Sequence, residues 1–307
     1  MSSPTWASPT GLTRRPVRPL SSRRWLACSQ THSVVSYAFW RLTVCSSFKA
    51  MPSATRPRRG CCGPITPSRC APLVRMFGLP VTWASWEALQ HTVETGLPAA
   101  EKVVPGGFWA YFASHPEASS IFNAAMIAKA HGQVAGVVAA YDFSGFGRIG
   151  DVGGGRGHLL RAVLDSAPQA SGVLCDLPDV LREVSGLASE RLKLQAGDFF
   201  KDPLPICDAY LMMEVIHDWG DEKAVAILKA VRRPAPPEAK LLVIEQIVPD
   251  DPGPHWTKTL DIHMLALLGG RQRTREQYEV LCANADFALA RQIDTAAGIS
   301  ILEAVPV

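Results

Sequence analysis

The spacing of apolar and polar positions over the second half of the chain predicts a parallel sheet covered by helices. From Arg148 onward, short apolar runs alternate with stretches whose apolar residues recur every three or four positions. Strands that alternate with helices in this way are typical of a parallel sheet with helices on both faces. We predict strands at 148–152, 172–177, 192–196, 208–213 and 240–248, and helices at 157–166, 179–186, 221–233 and 274–285.

The end of the chain departs from this alternation. Two further apolar runs, 288–295 and 299–304, are separated only by a short Ala-Ala-Gly turn. Parallel strands need a longer crossover, so this pair must be antiparallel. The pattern therefore predicts an α/β fold whose mostly parallel, seven-stranded sheet ends in a C-terminal antiparallel hairpin, which distinguishes it from an ordinary dinucleotide-binding domain.

The sequence pattern predicts helices in the region before the sheet. Apolar residues recur at helical spacing over 81–95, 107–114 and 117–140. We expect most of the aromatic side chains there to pack helix against helix. The chain therefore divides into an irregular basic segment at 1–75, a helical region at 76–147 and an α/β domain at 148–307.

The first 75 residues differ in composition from the rest. No acidic residue precedes Glu87, and 12 of the 31 Lys and Arg residues of the chain lie before it, which leaves 19 basic against 28 acidic residues in the remainder. Only 34–48 is apolar enough to suggest a short element. Three interpretations stay open: an organelle-import peptide, a basic arm for nucleic acid, or a stretch translated out of frame. In each case we expect poor order, because no patterned apolar face offsets the entropy of ordering.

A glycine-rich turn and two acidic residues indicate a nucleoside-containing cofactor. Gly153, Gly154 and Gly155 follow Asp151 between the first predicted strand and the first helix, where glycines allow a ligand to approach the backbone. Asp176 and Leu177 follow the second strand, and an acid there can accept hydrogen bonds from ribose hydroxyls. Asp198 and Phe199 follow the third strand, at a place that suits the edge and face of an adenine ring.

His217 follows the fourth strand and therefore lies at the same edge of the sheet as the glycine turn. A histidine there can remove a proton near neutral pH, which methyl transfer to a hydroxyl requires. Glu245, which closes an apolar strand, and Gln272 are the two candidates for orienting its imidazole. Asp218 and Trp219 are equally compatible with a structural role.

Together these motifs resemble the caffeic acid and acetylserotonin O-methyltransferase family, especially its bacterial members. Residues 148–307 are similar to the catalytic domain of that family, and 73–147 are similar to its connecting helices. The residues that carry the resemblance are Asp151-Val152-Gly153-Gly154-Gly155, Asp176-Leu177-Pro178, Gly197-Asp198-Phe199-Phe200, His217-Asp218-Trp219, Glu245, Gly269-Gly270-x-x-Arg273-Thr274, Phe108-Trp109-x-Tyr111 and Phe122-Asn123-x-x-Met126.

The resemblance implies a Rossmann-like methyltransferase fold, preceded by helices of a truncated or altered dimerisation domain. It implies S-adenosylmethionine as the methyl donor, His217 as the base flanked by Glu245, Asp176 at the ribose and Asp198 with Phe199 around the adenine. It also implies a homodimer, if the N-terminal region permits one, and a small aromatic or polyketide-like hydroxyl acceptor. We expect the acceptor to contact Trp109, Phe122, Asn123, Met126 and Met264.

Two departures from the family pattern bear on activity. Gln272 stands where members often have Glu, and Met213 stands at a cofactor position where many have Lys. Together with the unusual N-terminus, these departures keep an inactive homologue as an alternative. A cofactor-binding relative of the same fold with other chemistry, such as hydroxylation, also remains open. The glycine turn alone would in addition permit a nicotinamide-dependent oxidoreductase. No zinc-type cluster, membrane span or nucleic-acid site is expected in the acidic folded part, and its singly spaced apolar cysteines suggest a reducing, cytoplasmic location.

Overall fold

The computed structural model describes residues 67–307, with side chains from residue 71. Its centre is one sheet of seven strands in the order β3-β2-β1-β4-β5-β7-β6. The strands are β1 Arg148–Val152, β2 Ser171–Asp176, β3 Leu192–Ala196, β4 Ala209–Met213, β5 Lys240–Glu245, β6 Phe287–Asp294 and β7 Ser300–Pro306.

The predicted mixed sheet is confirmed. The first five strands pair in parallel, whereas β7 runs antiparallel to both β5 and β6. Strands β4 and β5 lie at the centre, and four of the five residues of β4 and five of the six of β5 are buried. Their near-continuous apolar runs are what a strand covered on both faces requires.

Helices cover both faces of the sheet, and each face has its own apolar cluster. The helices of this domain are α7 His158–Ser166, α8 Pro178–Glu183, α9 Asp221–Arg232, α10 Trp256–Leu268 and α11 Arg275–Ala283. Local chemistry fixes some of their starts. Thr274 and Gln277 form a reciprocal capping box at α11, and the His255 side chain accepts a hydrogen bond from the amide of Thr257 at α10.

The region before the sheet is helical, as predicted, although its divisions differ. Its helices are α1 Pro67–Phe77, α2 Pro80–Glu87, α3 Leu89–Thr95, α4 Ala99–Val103, α5 Gly107–Ser114 and α6 Pro116–Ala140. The single helix expected at 81–95 is two helices, because Ala88 leaves the helical conformation. Helix α1 spans the boundary expected at residue 75.

Helix α10 was not predicted, although its signal is present in the sequence. Leu260, Met264 and Leu267 recur at helical spacing and are buried. The expectations for residues 1–66, including the element at 34–48, lie outside the described residues. None of the helices described from residue 67 onward is long and apolar enough to cross a membrane.

Candidate active site

The carboxyl edge of the sheet brings the predicted cofactor residues together at one turn. Gly153 and Gly155 both have positive φ, 71° and 56°, which favours glycine. A Cβ at Gly154 would lie 2.5 Å from Asp151 and Leu174, whereas one at Gly155 would meet nothing within 4 Å. The turn is therefore tightly packed on its inner side and open at Gly155.

Asp176 ties the end of β2 to this turn. One of its carboxylate oxygens accepts a hydrogen bond from the Gly155 amide at 2.8 Å, and the other accepts one from the Leu177 amide at 2.7 Å. Burial raises the pKa of Asp176, and the two amides act in the opposite direction. Leu177 is 51% exposed beside it, an apolar side chain left open at the strand end.

Asp151 is a buried acid that the surrounding protein compensates only weakly. Neither of its carboxylate oxygens has a hydrogen-bond partner of normal geometry. Burial, and then the nearby Asp176 carboxylate, raise the pKa of Asp151 to about 7, while the Leu160 amide acts in the opposite direction. A buried acid left unpaired at a strand end is costly, which is typical of a group that meets a ligand.

Asp198 lies at the end of β3, as predicted, but its carboxylate is already engaged within its own loop. It accepts a hydrogen bond from the Phe200 amide at 2.9 Å and pairs with Lys201 at 2.7 Å, and the Lys201 hydrogen bond lowers its pKa. Phe199 packs edge-to-face against Trp219 with ring centroids 6.2 Å apart. Each oxygen of Asp198 therefore already has one partner within its own loop.

His217 and Glu245 form a buried pair at the same edge. The Nδ1 atom of His217 lies 2.6 Å from Glu245 Oε2, and the other oxygen of Glu245 accepts hydrogen bonds from the amides of Ile216 and His217 at 3.0 and 3.2 Å. Glu245 thus fixes both the imidazole and the backbone that carries it. The Nε2 atom of His217 lies 3.4 Å from Asp218 Oδ1.

The carboxylates around His217 set its proton affinity. Burial is the largest effect and alone would lower the pKa of His217, but the carboxylates of Glu245, Asp218 and Glu214 together outweigh it and raise the pKa to about 9, with Glu245 contributing most. Burial raises the pKa of Asp218 to about 6, and the His217 charge acts against that rise. In the unliganded protein His217 therefore holds its proton near neutral pH.

The turn that carries His217 is clamped by the segment after α10. The buried Arg273 guanidinium donates hydrogen bonds to the carbonyls of Ile216 at 3.3 Å and Trp219 at 2.8 Å, and it pairs with Asp221. Gly270 lies directly against the backbone of His217, with no room for a Cβ. The Gly-Gly-x-x-Arg motif therefore positions the histidine without touching its ring.

Gln272 does not orient the imidazole as expected. Its side chain is buried, but neither its amide nitrogen nor its oxygen has a hydrogen-bond partner, and Glu245 already holds Nδ1 of His217. The only hydrogen bond described for Gln272 is from its backbone amide to Asp261 at 2.8 Å. The predicted hydrogen bond from the Gln272 side chain to the His217 imidazole is therefore not formed.

A second ionic pair lies close to His217 and was missed. Glu214 follows β4 directly, adopts a positive φ of 56° and binds Lys129 of α6 at 2.6 Å. Lys129 was a detectable signal, because it is the only Lys, Arg, Asp or Glu between 118 and 140. Met213, the residue before Glu214, is partly buried against one apolar cluster.

The predicted acceptor residues fall into two groups. Phe122 and Met126 share one face of α6 with Lys129, whose contact with Glu214 turns that face toward the His217 edge. Trp109 packs edge-to-face on Phe122 at 5.7 Å, and Met264 is buried on α10, which contacts the His217 turn. Asn123, by contrast, lines a separate groove beside Arg156.

No group of His, Cys, Asp or Glu that could hold a metal ion occurs within residues 67–307.

Comparison with known proteins identifies the family of this chain. A family model described as an O-methyltransferase domain matches residues 86–288. The chain belongs to the O-methyltransferase domain family. This relation agrees with the seven-stranded sheet and confirms the predicted Rossmann-like methyltransferase fold.

Three relatives illustrate the similarity. A phenazine O-methyltransferase of Lysobacter antibioticus is 38% identical over 79% of this chain and 72% of its own length. A mitomycin biosynthesis 6-O-methyltransferase of Streptomyces lavendulae is 34% identical over 73% of this chain and 65% of its own length. The chain thus spans less than two thirds of the second relative.

The third is a solved structure of an O-methyltransferase from neocarzinostatin biosynthesis, which holds S-adenosylhomocysteine and 1,4-dihydroxy-2-naphthoic acid. It is 31% identical in sequence, and the aligned part is 77% of this chain and 74% of that protein's chain, with a TM-score of 0.67.

Proposed function

We propose that this O-methyltransferase domain transfers a methyl group from S-adenosylmethionine to a hydroxyl of a small aromatic or polyketide-like acceptor, with His217 as the general base. The observation that carries the proposal is the buried His217–Glu245 pair beside the glycine turn at one edge of the sheet. The relatives described above, named as O-methyltransferases, support the reaction class.

The residues at the turn fit a nucleoside sulfonium cofactor. Asp151 offers an unpaired buried carboxylate, Gly155 offers an open backbone, and Asp176 presents a carboxylate beside the exposed Leu177. Asp176 retains lone pairs for ribose hydroxyls, and the Asp151 carboxylate suits the α-ammonium group of the cofactor. Gly153, Gly154, Asp198, Phe199 and Met213 complete the proposed cofactor site.

When bound, S-adenosylmethionine supplies an electrophilic methyl group. The chain's own part is to hold the acceptor and to remove its proton. His217 accepts the hydroxyl proton at Nε2 while its Nδ1–H donates to Glu245, whose negative charge stabilises the imidazolium that forms. The oxygen then attacks as an oxyanion, which is a far better nucleophile than the neutral hydroxyl.

Calorimetric titration of the full chain tests the cofactor assignment. S-adenosylmethionine and NAD are titrated separately into the wild type, Asp176→Asn and Asp179→Asn under identical buffer. Asp179 provides the matched control, because it is an exposed acid on the same segment that pairs with Arg182. We expect saturable binding of S-adenosylmethionine by the wild type and the control, and binding at least about tenfold weaker by Asp176→Asn, since a charge-assisted hydrogen bond contributes about 1.5–3 kcal/mol.

Binding of NAD alone would overturn the methyltransferase assignment in favour of a nicotinamide-dependent enzyme. Binding of neither ligand by a folded protein would favour the inactive homologue. If S-adenosylmethionine binds but its methyl group is never transferred, the hydroxylase-like alternative gains support.

We further propose a cytoplasmic homodimer. Cys175, Cys207 and Cys282 are free and buried, which suits a reducing compartment. Trp83 and Trp109 are large apolar side chains exposed on the helical region, and such residues are enriched at protein interfaces. Light scattering coupled to size exclusion measures the mass directly, and a monomer at micromolar concentration would contradict this part of the proposal.

A further inference from the structure

A lysine faces the candidate active site from the helix that carries the proposed acceptor residues. Lys129 Nζ lies 2.6 Å from Glu214 Oε1, and its side chain is 23% exposed. Phe122, Met126 and Gln133 share its face of α6 at helical spacing. A lysine in so apolar a helix requires a physical reason, because burial of an ammonium costs free energy.

The Glu214 carboxylate is held in place by more than this lysine. Its Oε1 atom also accepts hydrogen bonds from the side-chain amides of Gln133 at 3.2 Å and Gln246 at 3.1 Å. Glu214 has a positive φ of 56°, a backbone conformation that costs about 1 kcal/mol or more outside glycine. Such strain is typical of a functional site, and here it presents the carboxylate to α6 three residues before His217.

Glu214 orients the Lys129 ammonium but uses only part of its hydrogen-bonding capacity. The ammonium has three N–H donors, of which Glu214 accepts one. Its charge also acts on Asp218, beside His217, and on the buried His263 of α10, whose pKa burial and then Lys129 lower to about 4. Lys129 therefore acts on groups of both the His217 turn and α10, where Trp86 donates a hydrogen bond to the His263 imidazole at 3.0 Å.

We propose that Lys129 binds an anionic group of the acceptor, so that the site selects hydroxylated aromatic acids over neutral phenols. The inference rests on the proposed function and narrows its substrate class. Glu245, Asp218 and Glu214 would repel a carboxylate placed elsewhere around His217. Lys129 supplies a positive charge on α6 opposite these groups, with two N–H donors left for the ligand.

Paired acceptors that differ only in the carboxylate test the proposal. Binding of 1-hydroxy-2-naphthoate and of 1-naphthol to the full chain is measured by calorimetry at pH 7.5, with and without S-adenosylhomocysteine. A charge-assisted hydrogen bond contributes about 1.5–3 kcal/mol, so the wild type should bind the acid roughly 10- to 100-fold more tightly than the naphthol.

Three variants separate recognition from a merely structural role. The double variant Lys129→Met/Glu214→Gln replaces the ion pair by neutral side chains of similar size and avoids leaving Glu214 buried and unpaired. It should lose the preference for the acid while binding 1-naphthol as before. Lys129→Arg keeps the charge and should keep the preference, and Lys102→Met, on the exposed face of α4, serves as the control.

Equal affinities in the wild type, no detectable binding of the acid, or a preference that survives in the double variant would each overturn the proposal. These results are distinct from failure of the proposed function, which appears as absence of S-adenosylhomocysteine binding. The preference is measured without that ligand as well, so either inference can fail alone.

Discussion

At the scale of single residues, the site depends on how a buried carboxylate changes one imidazole. Glu245 accepts two backbone amides with one oxygen and faces His217 with the other. It therefore fixes the ring's tautomer and raises its pKa to about 9. A basic imidazole is a strong proton acceptor, but in the proposed mechanism only its neutral form removes a proton, so we expect the active fraction to grow as pH rises toward 9. A bound sulfonium cation would favour that neutral form.

Replacement of Glu245 by Gln should lower the pKa of His217. A carboxylate at hydrogen-bond distance raises a histidine pKa by about 1–3 units, and the amide removes that charge at similar volume. NMR titration of the imidazole signals in the wild type, Glu245→Gln and the exposed control Glu279→Gln measures the change. An unchanged midpoint in Glu245→Gln would contradict the account of the pair.

At the scale of elements, the His217 turn is a short stretch that other segments of the chain hold in place. Strand β4 ends at Met213, and residues 216–218 form one turn of 3-10 helix before α9. Arg273 brackets that turn through two carbonyls, and Gly270 packs against its backbone. The position of His217 therefore depends on a segment more than 50 residues away, and a change there should reach the imidazole.

Gly270→Ala should displace the His217 turn. Its Cβ would overlap the carbonyl of His217 and the backbone of Asp218, so the segment must shift, at a cost of roughly 1–3 kcal/mol in unfolding free energy. Gly186→Ala is the control, because a Cβ there meets nothing within 4 Å. Urea unfolding and methyl transfer are measured on both. Wild-type activity in Gly270→Ala would show that the turn tolerates displacement.

At the scale of the whole molecule, the sequence predicted best those candidate site residues that lie at the ends of strands. Asp176, Asp198, His217 and Glu245 all lie at carboxyl ends of strands or just after them, and parallel pairing gathers such ends at one edge. Contacts between distant helices were not predictable. Lys129 meets Glu214 across 85 positions, and that distance follows from how α6 packs, which periodicity alone does not specify.

Cofactor binding should stabilise the whole domain. A ligand at 100 times its dissociation constant adds about 2.7 kcal/mol to the free energy of unfolding, which for a domain of this size raises Tm by about 5–10 °C. Differential scanning calorimetry with and without S-adenosylmethionine measures the shift, which should be smaller in Asp176→Asn than in Asp179→Asn at the same ligand concentration. A shift that is the same in both variants would place the ligand away from Asp176.

The most direct measurement of the central claim is transfer of radiolabelled methyl from S-adenosylmethionine to a panel of phenols, naphthols and their carboxylated analogues. The wild type and a His91→Ala control should label at least one acceptor, and His217→Ala should reduce the rate by about 10²- to 10⁴-fold, as expected for loss of a general base. Full activity in His217→Ala, or no labelled product from a folded protein that binds the cofactor, would contradict the claim that this chain is a methyltransferase that uses His217.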